Sequence, residues 1–320
     1  MANNKTQPKK LRRRIDGVLL LDKPKGMSSN TALQIAKRLF NAAKAGHTGT
    51  LDPMATGLLP LCLGEATKFA GTLLNADKCY EAVICLGIST DSGDAEGQIL
   101  EQRPVNVTPE QIDEVIKEFT GNILQVPPMY SALKRDGKPL YEYARQGIEL
   151  ERQPRPVTIH TLKVTALNDH LLSILVDCSK GTYIRTLAED IGEALGCGGH
   201  LIALRRTRIA SLHIEHALNL DALEALTQEA RDALLAPVDS LLSPLKAVEL
   251  DTAAAERFGH GQAVTSEANF EWLGEESGAL VRVYCDGQFL GLGSYQPDGR
   301  IAPERVLVIS PALPNSEQPE

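Results

Sequence analysis

The sequence predicts an α+β fold: one large domain on a central mixed sheet, followed by a smaller β-rich module. Three observations carry that expectation. Short apolar runs bounded by Gly, Pro or Asp recur along the chain and read as buried strands, whereas a few segments carry helix caps and helical spacing. Beyond about Leu245 the pattern turns to short strands and a hairpin. A length of 320 residues with 43% hydrophobic content supplies a core of useful size and room for two or more domains.

Taken in order, NNKTQPKKLRRR opens a basic, disordered arm over residues 1–15, and GVLLLDKP reads as a buried strand leading into a loop. Ser28 or Ser29 then caps a helix bearing Leu33, Ala36, Leu39 and Phe40 at helical spacing. The apolar run LLPLCLG is a strand, with a helix expected from about Glu65 to Leu74. The stretch from Tyr80 to Ser89 pairs with the stretch after Gly97 through the turn DSGDAEG. Asp91, Asp94 and Glu96 there suggest a calcium loop, but the twelve-residue ligand pattern ending in Glu is missing, so a polar turn is the better reading. Thr108-Pro109-Glu110-Gln111 is a capping box with Pro at the first helical position, and Gly121 stops that helix. Strands near Val157 to Leu167 and Leu171 to Cys178 precede the helix TYIRTLAEDIGEALG, which Gly196 ends. VRVYC, Asp286-Gly287 and QFLGLGSY form a hairpin within the last module, residues 246–313, and a disordered tail is expected over 314–320.

Charge is unevenly spread. The net charge of −8 argues against a nucleic-acid partner until it is mapped: residues 1–210 carry 27 Lys and Arg against 23 Asp and Glu, residues 211–320 only 6 against 18. A phosphate-binding face therefore belongs in the first two thirds. No apolar run approaches the roughly 20 residues that span a bilayer, and the basic start lacks a secretion signal's apolar stretch, so a cytoplasmic, membrane-free monomer is expected. Six Cys without C-x-x-C spacing read as reduced small side chains, and the lone pair His213 and His216 lacks the partners of a metal site.

The chemistry concentrates in GHTGTLDPMATG, Gly46 to Gly57, where small and hydroxylated residues surround one acid, Asp52. Standing alone, L-D-P is more often a turn whose Asp caps its own backbone. Set among glycines that allow close approach, the carboxylate is a candidate nucleophile. Between residues 127 and 156 lie Lys134, Arg135, Lys138, Arg145, Arg152 and Arg155 with three tyrosines. That mixture suits a solvated excursion, or looped RNA whose bases stack on rings while phosphates meet cations.

Four blocks in order, DKPKGMSS, GHTGTLDPMATGLLPLCLGEATK, KCYEAVICLGISTDSGDAEG and SKGTYIRTLAEDIGEALGCGGHLIALRRTRIASL, resemble the RNA pseudouridine synthases, in particular the bacterial family that isomerises uridine 55 in the T arm of tRNA. The resemblance covers most of the chain to about residue 240. Departures are few, among them Ala210, near which the family usually has Gly.

The resemblance implies a pseudouridine synthase catalytic domain over residues 16–245, with 127–156 as a thumb that folds over the T loop, and a PUA-like domain over 246–313. It assigns Asp52 as the catalytic nucleophile or base, Arg185 as its cation, and Tyr80 as the ring that stacks on uracil and relays a proton at C5. Tyr183 and Leu204 would line the base pocket, and His47 would meet the flipped nucleotide. Lys23, Arg205, Arg206 and Arg208, with the thumb cations Lys134, Arg135, Lys138 and Arg145, are candidate RNA contacts. The reaction breaks C1′–N1 and joins C1′–C5 without redox change, so neither cofactor nor metal is expected. The competing readings are a non-catalytic RNA-binding or tRNA-folding protein, which the presence of Asp52, Tyr80 and Arg185 disfavours, and an Asp-nucleophile phosphatase, which lacks its D-x-D and metal-binding carboxylates here. A third, the related subunit of guide-RNA particles, is disfavoured by the thumb-like insertion.

Overall fold

The alternating apolar runs pair into one nine-stranded sheet, which carries the candidate site residues on strands and on the loops that join them. A computed structural model describes residues 12–265 and 278–308. The first 11 residues of the basic arm and the tail from Pro314 lie outside the described residues.

The first strand, β1 (Gly17–Lys23), leads through a loop to helix α1 (Ser29–Leu39), where Ser28 is the cap that accepts from the Thr31 amide. Then come β2 (Ala45–His47), β3 (Thr56–Leu63), β4 (Lys78–Leu86), β5 (Ile88–Thr90) and β6 (Ile99–Gln102). Helix α2 (Pro109–Glu118) has the full capping box at Thr108 and Gln111. After β7 (Gly121–Gln125), the insertion holds the small hairpin β8 (Lys134–Arg135) and β9 (Lys138–Pro139) and helix α3 (Leu140–Ala144). The long hairpin β10 (Arg155–Asn168) and β11 (Leu171–Cys178) precedes α4 (Ile184–Ala194), β12 (Gly199–Ile209) and β13 (Leu212–His213). Helices α5 (Leu220–Ala225) and α6 (Gln228–Asp232) close the large domain. The end module has β14 (Lys246–Glu249), α7 (Thr252–Gly259), β15 (Leu280–Cys285), β16 (Gln288–Tyr295) and β17 (Ile301–Val306).

The main order is β1-β3-β12-β4-β11-β10-β7, antiparallel throughout except for the parallel pair β3 and β12, so the sheet is mixed. Its inward residues Tyr80, Ala82, Ile84, Leu172, Ile174 and Val176 pack against Ala32, Leu33 and Ala36 of α1 and Leu187, Ala188 and Ile191 of α4. At the β1 end a second cluster, with Val18, Leu58, Phe69 and Leu73, receives Leu292 and Phe289 from the end module's four-stranded sheet. The Phe69 and Phe289 rings lie 5.5 Å apart, so the module is seated on the large domain.

Two local expectations change. Residues 65–74 form two 3₁₀ turns, Gly64–Lys68 and Thr72–Asn75, because Gly71 interrupts the run and the hydroxyls of Thr67 and Thr72 bond the Gly64 and Phe69 carbonyls. The stretch from Tyr80 to Ser89 is divided at Gly87: β4 pairs within the main sheet, and β5 alone turns away to pair with β6. Gly87 has φ +88°, and a Cβ there would stand 2.7 Å from Val105, so the turn needs glycine. Arg205, Arg206 and Arg208, taken from the sequence as candidate RNA contacts with no element assigned, stand on β12, a central strand. Ala210 follows it at φ +49°, the left-handed region that suits the Gly expected near this position.

Candidate active site

Asp52 sits on the loop between β2 and β3, and that loop is fastened from three sides. The buried Ser29 hydroxyl at the start of α1 accepts from the Leu51 amide at 2.8 Å and donates to the Leu51 carbonyl at 3.0 Å. The Gly26 amide donates to the Pro53 carbonyl at 2.8 Å, and Ala55 N–H closes a turn on the Asp52 carbonyl. From below, the Arg206 guanidinium donates to the carbonyls of Gly49 (3.2 Å), Thr50 (3.5 Å) and, through Nε, Leu58 (2.9 Å). The Asp52 carboxylate itself remains 41% exposed while its backbone is fixed.

Its partner is Arg185, in the first turn of α4, whose side chain is only 5% exposed. Arg185 Nη2 stands 3.1 Å from Asp52 Oδ2, and Nε stands 3.6 Å from the buried Asp94. The same guanidinium donates to the Ser92 carbonyl at 3.0 Å and the Tyr130 carbonyl at 2.6 Å. Asp94 is in turn held by the Ser92 hydroxyl and the Glu96 amide. A buried cation with two carboxylates and two carbonyls has its donors directed, so it holds Asp52 in one orientation.

Tyr80 lies on the inward face of β4, buried, with burial pushing its hydroxyl's pKa up and the charge and contact of Arg206 pulling it back. Tyr183, the residue before α4, is anchored through its amide and carbonyl by the Gln125 side chain at 2.7 and 3.0 Å. Burial raises the Tyr183 hydroxyl's pKa, and contact with Ser131 opposes it. Leu204 lies opposite Ala82 on β4, so it shares Tyr80's face. It also lines, with Met54 and Thr56, a 510 Å³ cavity whose other walls include Glu81, Val83, Ser173 and Leu175. Consecutive residues of the same strands, Ala82 and Ile174 among them, also line it, whereas Asp52, Tyr80 and Arg185 do not. His47 is half-buried with Nδ1 lacking a hydrogen-bond partner, and burial followed by the Arg206 charge lowers its pKa.

Two candidate phosphate contacts are corrected. Lys23 is fully buried, and Nζ donates to the Pro24 and Met27 carbonyls at 2.8 Å each. Arg206 is 2% exposed and spent on the Asp52 loop. Neither can reach a phosphate from there. Arg205 and Arg208 are partly exposed but paired, with Asp22 and Asp177, each at 2.7 Å. Lys134, Arg135 and Lys138 are exposed on the β8–β9 hairpin, and Arg145 lies 5.3 Å over the Tyr141 ring. The sequence reading missed Asp94, Gln125 and Ser29 as supports of the site. Ser29 and Asp94 stood in motif-bearing blocks, where they were read as a helix cap and as part of a polar turn.

A buried Arg clamping a half-exposed Asp beside a buried Tyr, on a mixed sheet flanked by α1 and α4, defines the class. A chain of the Cbf5–Nop10–Gar1 complex crystal structure superposes with a TM-score of 0.70 at 28% identity, covering 91% of this chain and 84% of that one. A chain of the archaeal box H/ACA sRNP Nop10–Cbf5 complex gives 0.68 at 25% identity, covering 91% and 85%. Residues 37–184 match the TruB family pseudouridylate synthase N-terminal domain, 185–243 the tRNA pseudouridylate synthase B C-terminal domain, and 247–307 the pseudouridine synthase II TruB C-terminal domain. Relatives named tRNA pseudouridine synthase B include one from Aromatoleum aromaticum, 57% identical over 92% of this chain and 94% of its own. Another, from Burkholderia mallei, is 55% identical over 96% and 99%. The chain belongs to the TruB family of pseudouridylate synthases.

Proposed function

We propose that this chain isomerises uridine 55 to pseudouridine in the T loop of tRNA, with the target base flipped out and Asp52 as the central acid. The Asp52–Arg185 pair at 3.1 Å, backed by Asp94, is the observation that carries the reading, because it presents one oriented carboxylate at a site with a buried phenol. Asp52 attacks C1′, attacks C6, or removes the C2′ proton; all three place the carboxylate near the same atoms. Tyr80 stacks on the uracil and takes the C5 proton, Tyr183 and Leu204 border the base, and His47 meets the extruded nucleotide. Arg185 counters the desolvation of Asp52 when RNA covers it.

The insertion 127–156 acts as a thumb over the T loop. Lys134, Arg135 and Lys138 on its exposed hairpin are placed for phosphates, and Tyr130 ties the thumb's base to Arg185. Residues 16–245 serve as the catalytic domain and 246–313 as a PUA-like module. That module carries 4 Lys and Arg against 9 Asp and Glu over residues 251–313, too acidic to dominate tRNA affinity. Incubating the chain with an unmodified tRNA transcript and mapping pseudouridine tests the reading. A product at position 55 alone supports it, and no product, or modification elsewhere only, defeats it.

A further inference from the structure

Arg206 is a buried cation that the reaction as proposed does not use. It is 2% exposed, and among the described residues no carboxylate lies within ion-pair distance of it. In the sheet it stands directly opposite Tyr80 on β4 and beside Gly57 on β3. Residues directly opposite in an antiparallel pair present their side chains on the same face, so the buried guanidinium and the buried phenol are neighbours on the inner face of the sheet. The backbone geometry enforces this placement: a Cβ at Gly57 would come within 2.3 Å of the Arg206 carbonyl oxygen, so only glycine lets β3 and β12 approach here. Nη2 and Nη1 of the guanidinium bond the Gly49 and Thr50 carbonyls, three and two residues before Asp52, and Nε bonds the Leu58 carbonyl.

Building on the assignment of pseudouridine formation, we propose that Arg206 is a positioning residue for the reaction, one buried cation that holds the loop carrying Asp52 and sets its charge on the face of the sheet where Tyr80 lies. Burying an unpaired guanidinium is costly, and the surrounding carbonyls and phenol offset that cost only in part. The charge has a use when the phenol must act as a base. As C1′–N1 breaks and C1′–C5 forms, C5 gives its proton to the Tyr80 phenolate and N1 takes one from water. The hydroxide left behind recovers the proton from the phenol, so atoms and charge balance without redox change.

Other titratable groups surround the pair. Asp52 on the loop opposes ionisation of Tyr80, whereas the Cys178 thiol on β11, pushed up to about 12 by burial, stays neutral and adds no charge. Lys23 on β1 and Lys78 on β4 are each lowered to about 8, burial first, with the Arg206 charge acting in the same direction. His47 on β2 is lowered likewise and is neutral at pH 7 and above. Arg206 keeps its charge throughout that range, the lasting cation beside the phenol.

The test compares Arg206→Gln and Arg206→Lys with the native full chain, following single-turnover tritium release from C5-labelled tRNA across the pH range, with thermal melting as the check on folding. An opposing charge a few ångströms away shifts an acid by about 1 to 3 units, so the folded Gln variant should release tritium about 10- to 10³-fold more slowly near neutral pH. It should recover as pH rises, and the Lys variant should fall between. The shift in profile must vanish when Tyr80→Phe is added, which separates it from titration of Lys23 or Lys78. A folded Gln variant whose profile keeps the native shape, with only a uniform drop, overturns the proposal. Should neither variant fold, carbon-13 labelling of the tyrosine rings in the native chain decides: a Tyr80 that never ionises before unfolding overturns the proposal, and one that ionises supports it. A native chain that releases no tritium defeats the underlying assignment instead, a result distinct from either.

Discussion

Replacing Asp52 with Asn keeps the side chain's size and removes its charge, and the structure states what else changes. Arg185 loses an oxygen at 3.1 Å but keeps Asp94 at 3.6 Å and the Ser92 and Tyr130 carbonyls at 3.0 and 2.6 Å. The cation is therefore not orphaned, and the large penalty for stranding a buried charge does not apply. Because the Asp52 carboxylate is 41% exposed, loss of the pair should cost about 1 kcal/mol or less. The backbone anchors through Ser29, Gly26 and Arg206 do not involve the carboxylate and persist. Binding of tRNA should stay within about threefold, since phosphate contacts lie elsewhere. Turnover should fall by at least about 10³-fold, the scale on which removing a nucleophile acts. Tritium release measures turnover, filter binding measures affinity, and a melting curve checks the fold. Activity above a few per cent in a well-folded Asn variant would remove Asp52 from the chemistry, and a collapse of stability would mean that Asp94 does not hold Arg185.

Tyr80→Phe keeps the ring and deletes the hydroxyl, so product formation should fall by roughly 10²-fold or more while binding persists; near-native single-turnover rates would leave the ring alone as the functional part. Replacing Lys134, Arg135 and Lys138 with Gln should reduce the slope of log affinity against log salt by about two units, at roughly 0.7 to 0.9 per phosphate contact, whereas neutralising Arg257 and Arg305 in the end module should barely move it. The reverse pattern in a salt titration would relocate the RNA face. Burial, then Asp190, raises the Glu189 carboxyl from 4.5 to about 7, opposed by Arg185, and burial raises Asp190 from 3.8 to about 6. The folded chain thus holds protons that the unfolded chain has lost, so these groups cost stability as pH rises through that window. Glu189→Gln should melt less steeply with pH than the native chain between about pH 4.5 and about pH 7, and equal slopes would show that the carboxyl ionises freely.

What was legible in the sequence was chemistry carried by short, dense blocks. Asp52 among glycines and Pro, Arg185 after K-G-T-Y-I and Tyr80 in a strand-like run are local patterns, and the fold brings the Asp and Arg within 3.1 Å across 133 positions of chain. Caps were legible for the same reason, because the Thr108–Gln111 box is a contact between residues three apart. The supports were not legible. Ser29 holds Leu51 across 22 residues, and Gln125 holds Tyr183 across 58, contacts that no local period records.

The cations show where reading by residue type fails. Lys and Arg are the side chains least expected inside, so Lys23 and Arg206 looked like phosphate contacts alongside Arg205 and Arg208. In a strand, however, neighbours face opposite ways, and the run Arg205-Arg206 places one guanidinium on the open face with Asp22 and the next in the core under Asp52. Charge density in sequence therefore counted two kinds of cation as one. Lys134, Arg135 and Lys138 belong to the first kind, exposed on a hairpin and available to screening counterions, so their effects should fade with salt. Lys23 and Arg206 belong to the second, sealed from solvent and bonded to carbonyls, so their effects should resist salt. Salt dependence should thus separate the exposed cations proposed to meet RNA from the buried ones that shape the site.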